Sequence, residues 1–244
     1  TYGSTNLDEL RDKTQDKVLR RLKEDVLDLP DKIITPIQMN LTSREYKREM
    51  GEYQDWKRDN KTKGLSIQLA KLMKVRQIIA MEKVKETEQL IEQSLNQDKK
   101  VIVFTNFTEP LLSLHEKYKN NSVILNGSMK KEDRQKSVDR FQTDDTIKVF
   151  IGNVKAAGVG ITLTAAEVVI FNDLSFVPSD MSQAEDRAFR IGQKKSVSCI
   201  YPIYENTIEQ KIFNIVNNKK SVIDTVMGDN IKEEDIMSQI LDYL

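Results

Sequence analysis

Two arginines carry the strongest chemical signal in this sequence. Arg187 and Arg190 lie within the stretch QAEDRAFRIGQ, residues 183–193, and are one turn apart if the stretch is helical. Residues three apart project from the same helix face, so the two guanidinium groups would lie side by side. Paired guanidinium groups bind the oxygens of carboxylates and phosphates, and this arrangement suits a triphosphate.

The helical interpretation of this stretch depends on where the helix begins. If Asp180 is the N-cap residue, Gln183 occupies the third helical position and the two form a capping-box-like start. An alternative stays open, in which the arginines form a solvated charged face and pair with Glu185 and Asp186.

Short apolar runs separated by helical spacers begin near residue 100. The runs, each typical of a strand buried on both faces, are Val101–Phe104, Val123–Leu125, Ile147–Ile151, Val168–Phe171 and Val197–Ile203. Spacers such as residues 109–118 and 130–141 are long enough for the crossover helices of right-handed βαβ units. The sequence therefore predicts an α/β fold with a doubly wound, mostly parallel sheet.

The segments on either side of these runs are predicted to be amphipathic helices. Residues 7–98 are highly charged and follow a helical period, apart from an extended stretch at residues 33–39. A capping box of Thr207 and Gln210 is predicted to begin another helix after the last strand. A final amphipathic helix is predicted over residues 236–244.

Polar residues that follow the apolar runs are candidate phosphate contacts, because ligands of a doubly wound sheet collect at the carboxyl ends of its strands. The small, hydroxylated or basic residues after three of the runs are Thr105, Asn106, Gly127, Ser128, Lys130, Lys155, Gly158, Gly160 and Thr162. Such residues hold a phosphate through backbone N–H groups and the helix dipole. The alternatives are ordinary helix caps with a solvated basic turn, and a tight glycine turn.

Two common nucleotide-binding motifs are excluded. Residues 158–163 depart from the dinucleotide fingerprint G-x-G-x-x-G because the last position is Leu163, and the chain has no G-x-x-x-x-G-K-[ST] phosphate loop. The 38 basic and 38 acidic residues cancel, so any phosphate-binding surface must be local.

The composition favours an intracellular protein without a membrane segment. The single cysteine, Cys199, lies in an apolar run and has no partner for a disulfide or a zinc site, so no metal site is predicted. No apolar stretch approaches the roughly 18 residues of a membrane span. The chain begins with Thr1 rather than Met, so we expect a piece of a longer protein.

Arginines directed at a triphosphate, in a chain that lacks a nucleotide-binding loop, follow the logic of an arginine finger supplied to another domain. The sequence resembles the second RecA-like lobe of SWI/SNF-type superfamily 2 helicase-like ATPases, which are double-stranded DNA translocases. Five blocks occur in the order of that family, at residues 19–32, 101–112 (motif IV), 126–141, 155–166 (motif V) and 183–193 (motif VI).

The resemblance implies a role for each candidate residue. Arg187 and Arg190 match arginines that reach ATP on the first lobe, with Gln183 organising the same surface. Gly158 and Gly160 match the motif V glycines, which couple the ATP cleft to the DNA track. The residues implied to contact the phosphates of duplex DNA are Thr105, Asn106, Gly127, Ser128, Lys130, Lys155 and Thr162. ATP and Mg²⁺ would be held mainly by an N-terminal RecA-like lobe of the same protein.

The resemblance also implies a three-part chain. Residues 1–98 would form a helical linker that leads into the lobe, residues 99–204 the RecA-like lobe, and residues 205–244 helices that brace it. The expected function is the C-terminal motor lobe of an ATP-dependent double-stranded DNA translocase, inactive as a fragment, located in the cytoplasm or, in a eukaryote, in the nucleus. Two alternatives stay open, an RNA-polymerase-associated or RNA-dependent ATPase and a non-catalytic interaction module.

Overall fold

A single parallel sheet organises the chain. The computed structural model describes residues 27–60, 65–157 and 160–226. Its strands in these residues are β1 (Lys32–Met39), β2 (Val101–Thr105), β3 (Ser122–Leu125), β4 (Val149–Asn153), β5 (Val168–Phe171) and β6 (Val197–Tyr204). They lie in the order β1-β6-β5-β2-β4-β3, and every neighbouring pair is parallel. The predicted α/β class is confirmed.

Helices connect these strands and cover the sheet. In the same residues they are α1 (Arg44–Asp59), α2 (Leu65–Glu82), α3 (Val84–Leu95), α4 (Thr108–Lys117), α5 (Lys131–Thr143), α6 (Val154–Ala157), α7 (Pro178–Ala188) and α8 (Ile208–Val226). The predicted spacer helices correspond to α4 and α5, within two residues at each end. The predicted helices at residues 7–26 and 236–244 lie outside the described residues.

Strands β2 and β5 are buried on both faces. Ile102 and Phe104 belong to one apolar cluster, whereas Val101 and Val103 belong to a second cluster, and the residues of β5 alternate in the same way. Successive side chains of a strand point to opposite faces, so these two clusters are the two layers between sheet and helices. This arrangement explains the unbroken apolar runs of the sequence.

Strand β1 brings part of the predicted linker into the sheet. The extended stretch predicted at residues 33–39 is confirmed, and it pairs with β6 from Lys32 opposite Val197 to Met39 opposite Tyr204. Pro36 has no backbone N–H, and an edge strand tolerates it because one side of the strand has no partner within the sheet. The lobe therefore recruits a strand from well before residue 99.

A buried ion pair fixes helix α8 on the rest of the fold. The ammonium of Lys83, between α2 and α3, donates to the carboxylate of Glu209 and to the carbonyl oxygen of Pro202 at 2.6 Å. The Tyr204 amide donates to the same carboxylate at 3.1 Å. Burial raises the pKa of Glu209, and the Lys83 charge opposes that shift. Each charge is thus compensated by the other rather than by water.

The predicted cap of α8 is confirmed in part. Thr207 Oγ1 accepts a hydrogen bond from the Glu209 amide at 3.2 Å, as an N-cap hydroxyl does. Gln210 Oε1 accepts from the Asn206 amide at 2.9 Å, one residue before the donor that a capping box uses.

Removing one partner of the buried pair should be costly. Lys83→Met keeps the length of the side chain but leaves the Glu209 carboxylate buried without its cation, so we expect a loss of about 3–5 kcal/mol in the free energy of unfolding. Urea unfolding of Lys83→Met, of Lys83→Met with Glu209→Leu, and of Lys119→Met as an exposed control measures this. The double variant should recover much of the loss, and a single variant as stable as the control would contradict the assignment.

Candidate nucleotide and nucleic-acid site

The helix that carries the first arginine begins earlier than predicted. Helix α7 starts at Pro178, with Val177 as its N-cap residue. The Ser175 hydroxyl donates to the Asp180 carboxylate at 2.8 Å and accepts from the Val177 amide at 3.1 Å. The predicted cap at Asp180 is therefore wrong, because the fixed φ of proline at the first helical position sets an earlier start.

The second arginine lies outside this helix. The Gln193 amide Nε2 donates to the carbonyl oxygen of Ala188 at 3.1 Å and to that of Ala166 at 2.9 Å, so it satisfies the end of the helix. Gly192 has a φ of +102°, which turns the chain away from the helix axis. The prediction that Arg187 and Arg190 share one face of a continuous helix is wrong, since α7 ends at Ala188.

The two guanidinium groups nevertheless remain within electrostatic reach of each other. Arg187 is half-buried, and Arg190 is exposed. Burial lowers the pKa of Arg187, the charge of Arg190 lowers it further, and the Asp186 carboxylate acts in the opposite direction. Because like charges near each other favour an anion between them, this pair is a candidate phosphate site.

Arg187 is attached to the segment that follows β4. Its Nη1 donates to the carbonyl oxygen of Ile161 at 3.4 Å, and its own carbonyl oxygen accepts from the Leu163 amide at 2.8 Å. Residues 160–163 and the end of α7 are thus joined by one backbone and one side-chain hydrogen bond. The motif V and motif VI blocks of the sequence are in direct contact.

Glu185 lies on the inner side of α7. Its carboxylate is almost fully buried, accepts from Lys32 Nζ at 2.8 Å and accepts from the Tyr201 hydroxyl. These contacts hold α7 against β1 and β6. Gln183 lies one turn from the arginine-bearing end of the helix and is exposed.

The turn after β2 is held by a carboxylate that the sequence did not reveal. Asp173 follows β5 and is buried; it accepts hydrogen bonds from the Thr105 hydroxyl, from the Asn106 amide at 3.1 Å and from Asn106 Nδ2 at 2.6 Å. Asn153 Nδ2, at the end of β4, donates to the Asn106 carbonyl oxygen at 3.1 Å. The carboxyl ends of β2, β4 and β5 are thereby joined.

This network corrects one predicted contact. Thr105 is fully buried and its hydroxyl is engaged by Asp173, so direct contact with a DNA phosphate is wrong for this residue. Asn106 is partly buried beside it. Asp173, the second polar residue after an apolar run, could have been suspected from sequence, but its partner at position 105 could not.

The loop after β3 is accessible. Gly127, Ser128 and Lys130 are exposed, and Asn126 Oδ1 accepts from both the amide and the hydroxyl of Ser128. Arg134, on the first turn of α5, donates to the carbonyl oxygens of Gly127 at 2.7 Å and Met129 at 3.0 Å. The loop is therefore ordered while its basic side chain faces solvent.

The segment between β4 and β5 carries the remaining candidate residues. Lys155 is exposed on α6, directly after β4, and Thr162 is half-buried. Gly160 has a φ of +57°, a conformation that a residue with a Cβ rarely adopts. Gly158 lies outside the described residues.

The candidate residues lie at opposite ends of the strands, some at the carboxyl edge of the sheet and some at the amino edge. Asn106, Lys130 and Lys155 follow strand ends at the carboxyl edge, as predicted. The arginines lie at the other edge, since Gln193 links the end of α7 to Ala166, two residues before β5 begins. Residues 154–157 lie at the carboxyl edge, and residues 160–167 lead into β5 at the other edge.

In the described part of the chain no group of three or more His, Cys, Asp or Glu side chains is placed to hold a metal ion. None of the helices described has the length and apolarity needed to cross a membrane.

The fold and the site define a helicase C-terminal domain. Residues 82–192 match the family described as the helicase conserved C-terminal domain. The structure is similar to the Sulfolobus solfataricus SWI2/SNF2 ATPase core in complex with dsDNA, with a TM-score of 0.68 and 28% identity, over 95% of this chain and 53% of that chain.

Two relatives are similar to this chain over most of its length. DNA annealing helicase and endonuclease ZRANB3 of Homo sapiens is 30% identical over 97% of this chain. A Caenorhabditis elegans homolog of the SWI/SNF-related matrix-associated actin-dependent regulator of chromatin subfamily A-like protein 1 is 33% identical over 92% of it. The chain spans 22% and 34% of their lengths. The chain belongs to the helicase C-terminal domains of the SWI/SNF type, and the family resemblance is confirmed.

The Asp173 network gives a prediction about stability. Asp173→Asn places an amide donor against the buried donors of Thr105 and Asn106, so we expect the free energy of unfolding to fall by about 2–3 kcal/mol. Chemical denaturation compared with Asp145→Asn, whose side chain is 98% exposed, measures the effect. Equal stability of the two variants would show that the carboxylate does not hold the turn.

Proposed function

We propose that this lobe is the C-terminal motor lobe of an ATP-dependent double-stranded DNA translocase. The observation that carries the proposal is the arginine pair, in which exposed Arg190 lies near half-buried Arg187 at one edge of the sheet. Two adjacent positive charges at an accessible edge favour the binding of a polyanion. Gln183, exposed one turn away, belongs to the same proposed surface.

The nucleotide would be shared between two lobes. The chain has no phosphate loop, and its described residues offer no carboxylate cluster for Mg²⁺, so an N-terminal RecA-like lobe would hold both. ATP supplies the free energy of hydrolysis when bound there. Arg187 and Arg190 would contribute positive charge to its phosphates, while Gly158 and Gly160 would shape the adjoining segment.

Duplex DNA would bind at the opposite edge of the sheet. The similar Sulfolobus solfataricus ATPase core is in complex with dsDNA, which supports duplex DNA as the ligand of this lobe. The exposed residues Gly127, Ser128, Lys130 and Lys155 are the proposed phosphate contacts, with Asn106 at the margin. Thr162, the other predicted contact, lies between two residues that bond Arg187, away from this surface. Contacts to phosphate carry no sequence information, which suits a motor that passes over every base pair.

The location of the protein follows from this proposal. The named relatives are a DNA annealing helicase and a homolog of a chromatin regulator, so we propose an intracellular location, and a nuclear one if the source is eukaryotic.

The proposed role of the arginine pair predicts that removal of either arginine slows ATP hydrolysis. In a protein that joins an N-terminal RecA-like lobe to this one, Arg190→Ala and Arg187→Ala should each lower duplex-stimulated kcat by about 10³-fold or more, because each removes charge from the transition state. Steady-state ATPase assays with duplex DNA, RNA or no nucleic acid measure this.

The matched control is Lys194→Ala, an exposed basic residue in the same loop, which should hydrolyse ATP at the wild-type rate. Full activity of the double variant Arg187→Ala, Arg190→Ala would remove the proposed role of the pair. Stimulation by RNA alone would favour the RNA-dependent ATPase, and no hydrolysis by the wild-type protein would favour the non-catalytic interaction module.

The lysines at the carboxyl edge predict a change in salt dependence. Lys130→Ala and Lys155→Ala should weaken binding to all duplex sequences alike, and each should reduce the slope of log K against log salt concentration by about 1. Fluorescence anisotropy titrations at several salt concentrations provide the slopes. Lys119→Ala, in the turn after α4, serves as the control, and slopes equal to that control would place the duplex elsewhere.

A further inference from the structure

The side chain of Gln142, on α5, uses both ends of its amide on the segment between β4 and β5. Its Nε2 donates to Thr164 Oγ1 at 3.2 Å, and its Oε1 accepts from the Ala165 amide at 2.9 Å. The side chain is half-buried, so water competes only in part for these bonds. Both hydrogen bonds join the end of helix α5 to the loop before β5, and neither is a backbone hydrogen bond of a helix or of the sheet.

Helix α5 is attached firmly at both ends. At its start, Arg134 binds the carbonyl oxygens of Gly127 and Met129 in the exposed loop after β3. At its end, the buried ammonium of Lys100 donates to the Phe141 carbonyl oxygen at 2.8 Å, and the Phe141 ring is fully buried. Arg134 therefore ties the start of α5 to the loop that precedes it.

The residues next to the Gln142 contacts lead directly to the arginine pair. The Leu163 amide donates to the Arg187 carbonyl oxygen, and Arg187 Nη1 donates to the Ile161 carbonyl oxygen. Hydrogen bonds at the two ends of α5, joined by the backbone of residues 161–165, therefore connect the loop around Lys130 to Arg187.

We infer that Gln142 is a positioning residue that couples nucleic-acid binding after β3 to the placement of Arg187. This inference rests on the proposed function, because it needs a ligand on each side. Phosphate contacts to the loop after β3 would bias the position of α5, and the two amide bonds would pass that bias to residues 161–165. Rigid elements and hydrogen-bond networks are the physical carriers of such coupling.

The experiment compares three variants in a protein that carries both lobes. Gln142→Met keeps the length of the side chain and removes both hydrogen bonds, so the ratio of duplex-stimulated to unstimulated ATPase should fall about tenfold. Gln142→Glu should restore the ratio to within about threefold, because a carboxylate accepts from the Ala165 amide and from a reoriented Thr164 hydroxyl. Gln135→Met, exposed on the same helix, should leave the ratio unchanged.

A second measurement separates positioning from a general loss of stability. Hydrogen exchange without nucleic acid should show faster exchange of the Ala165 amide in Gln142→Met, with an unchanged thermal midpoint. If duplex DNA stimulates the wild-type protein and Gln142→Met has the same ratio, the coupling role is overturned while the proposed function stands. An equal loss of stimulated and unstimulated ATPase in Gln142→Met, with a lower thermal midpoint, also overturns the coupling role. A wild-type protein that duplex DNA does not stimulate overturns the proposed function, and the coupling role with it.

Discussion

The placement of Arg187 depends on the contact between the end of α7 and the segment that leads into β5. The Leu163 amide donates to the carbonyl oxygen of Arg187 at 2.8 Å, and the Arg187 side chain returns a hydrogen bond to Ile161. Gln193 Nε2 adds a second link between the same two parts of the chain, because it donates to the carbonyl oxygens of both Ala188 and Ala166. Together these contacts place Arg187 beside residues 160–166, whereas Lys155 lies just after the carboxyl end of β4.

The arginine-bearing end of α7 is stabilised by groups that are not themselves near the proposed ligand. Glu185 ties the helix to Lys32 on β1 and Tyr201 on β6, and Gln193 satisfies its last carbonyl oxygens. The negative end of the helix dipole further favours the nearby positive charge of Arg187. These contacts offset the cost of holding Arg187 half-buried beside a second cation.

The strands of the central sheet were predictable, but their partners were not. Apolar runs such as residues 168–171 identify strands because burial on both faces leaves no polar position. The pairing of β1 with β6 joins residues more than 150 positions apart, and no local pattern specifies it. The same reason explains why Thr105 was assigned to a DNA contact, since Asp173, which engages its hydroxyl, lies 68 residues away.

Helix ends were the other source of error. The pattern of Asp180 and Gln183 resembles a capping box, but Pro178 sets an earlier start, and the contact of Gln193 with Ala166 ends the helix before Arg190. The role of both arginines at a nucleotide stays a prediction. Long-range hydrogen bonds, which the sequence does not specify, determine which of the candidate residues are accessible.

A structure of a protein carrying both lobes, with a non-hydrolysable ATP analogue and duplex DNA, is the most direct test. The account predicts that the Arg190 guanidinium lies within hydrogen-bonding distance of the terminal phosphate, with Arg187 beside it, while Lys130 and Lys155 lie on phosphates of the duplex. A bound nucleotide with both guanidinium groups turned away, each in an ion pair within this lobe, would contradict it.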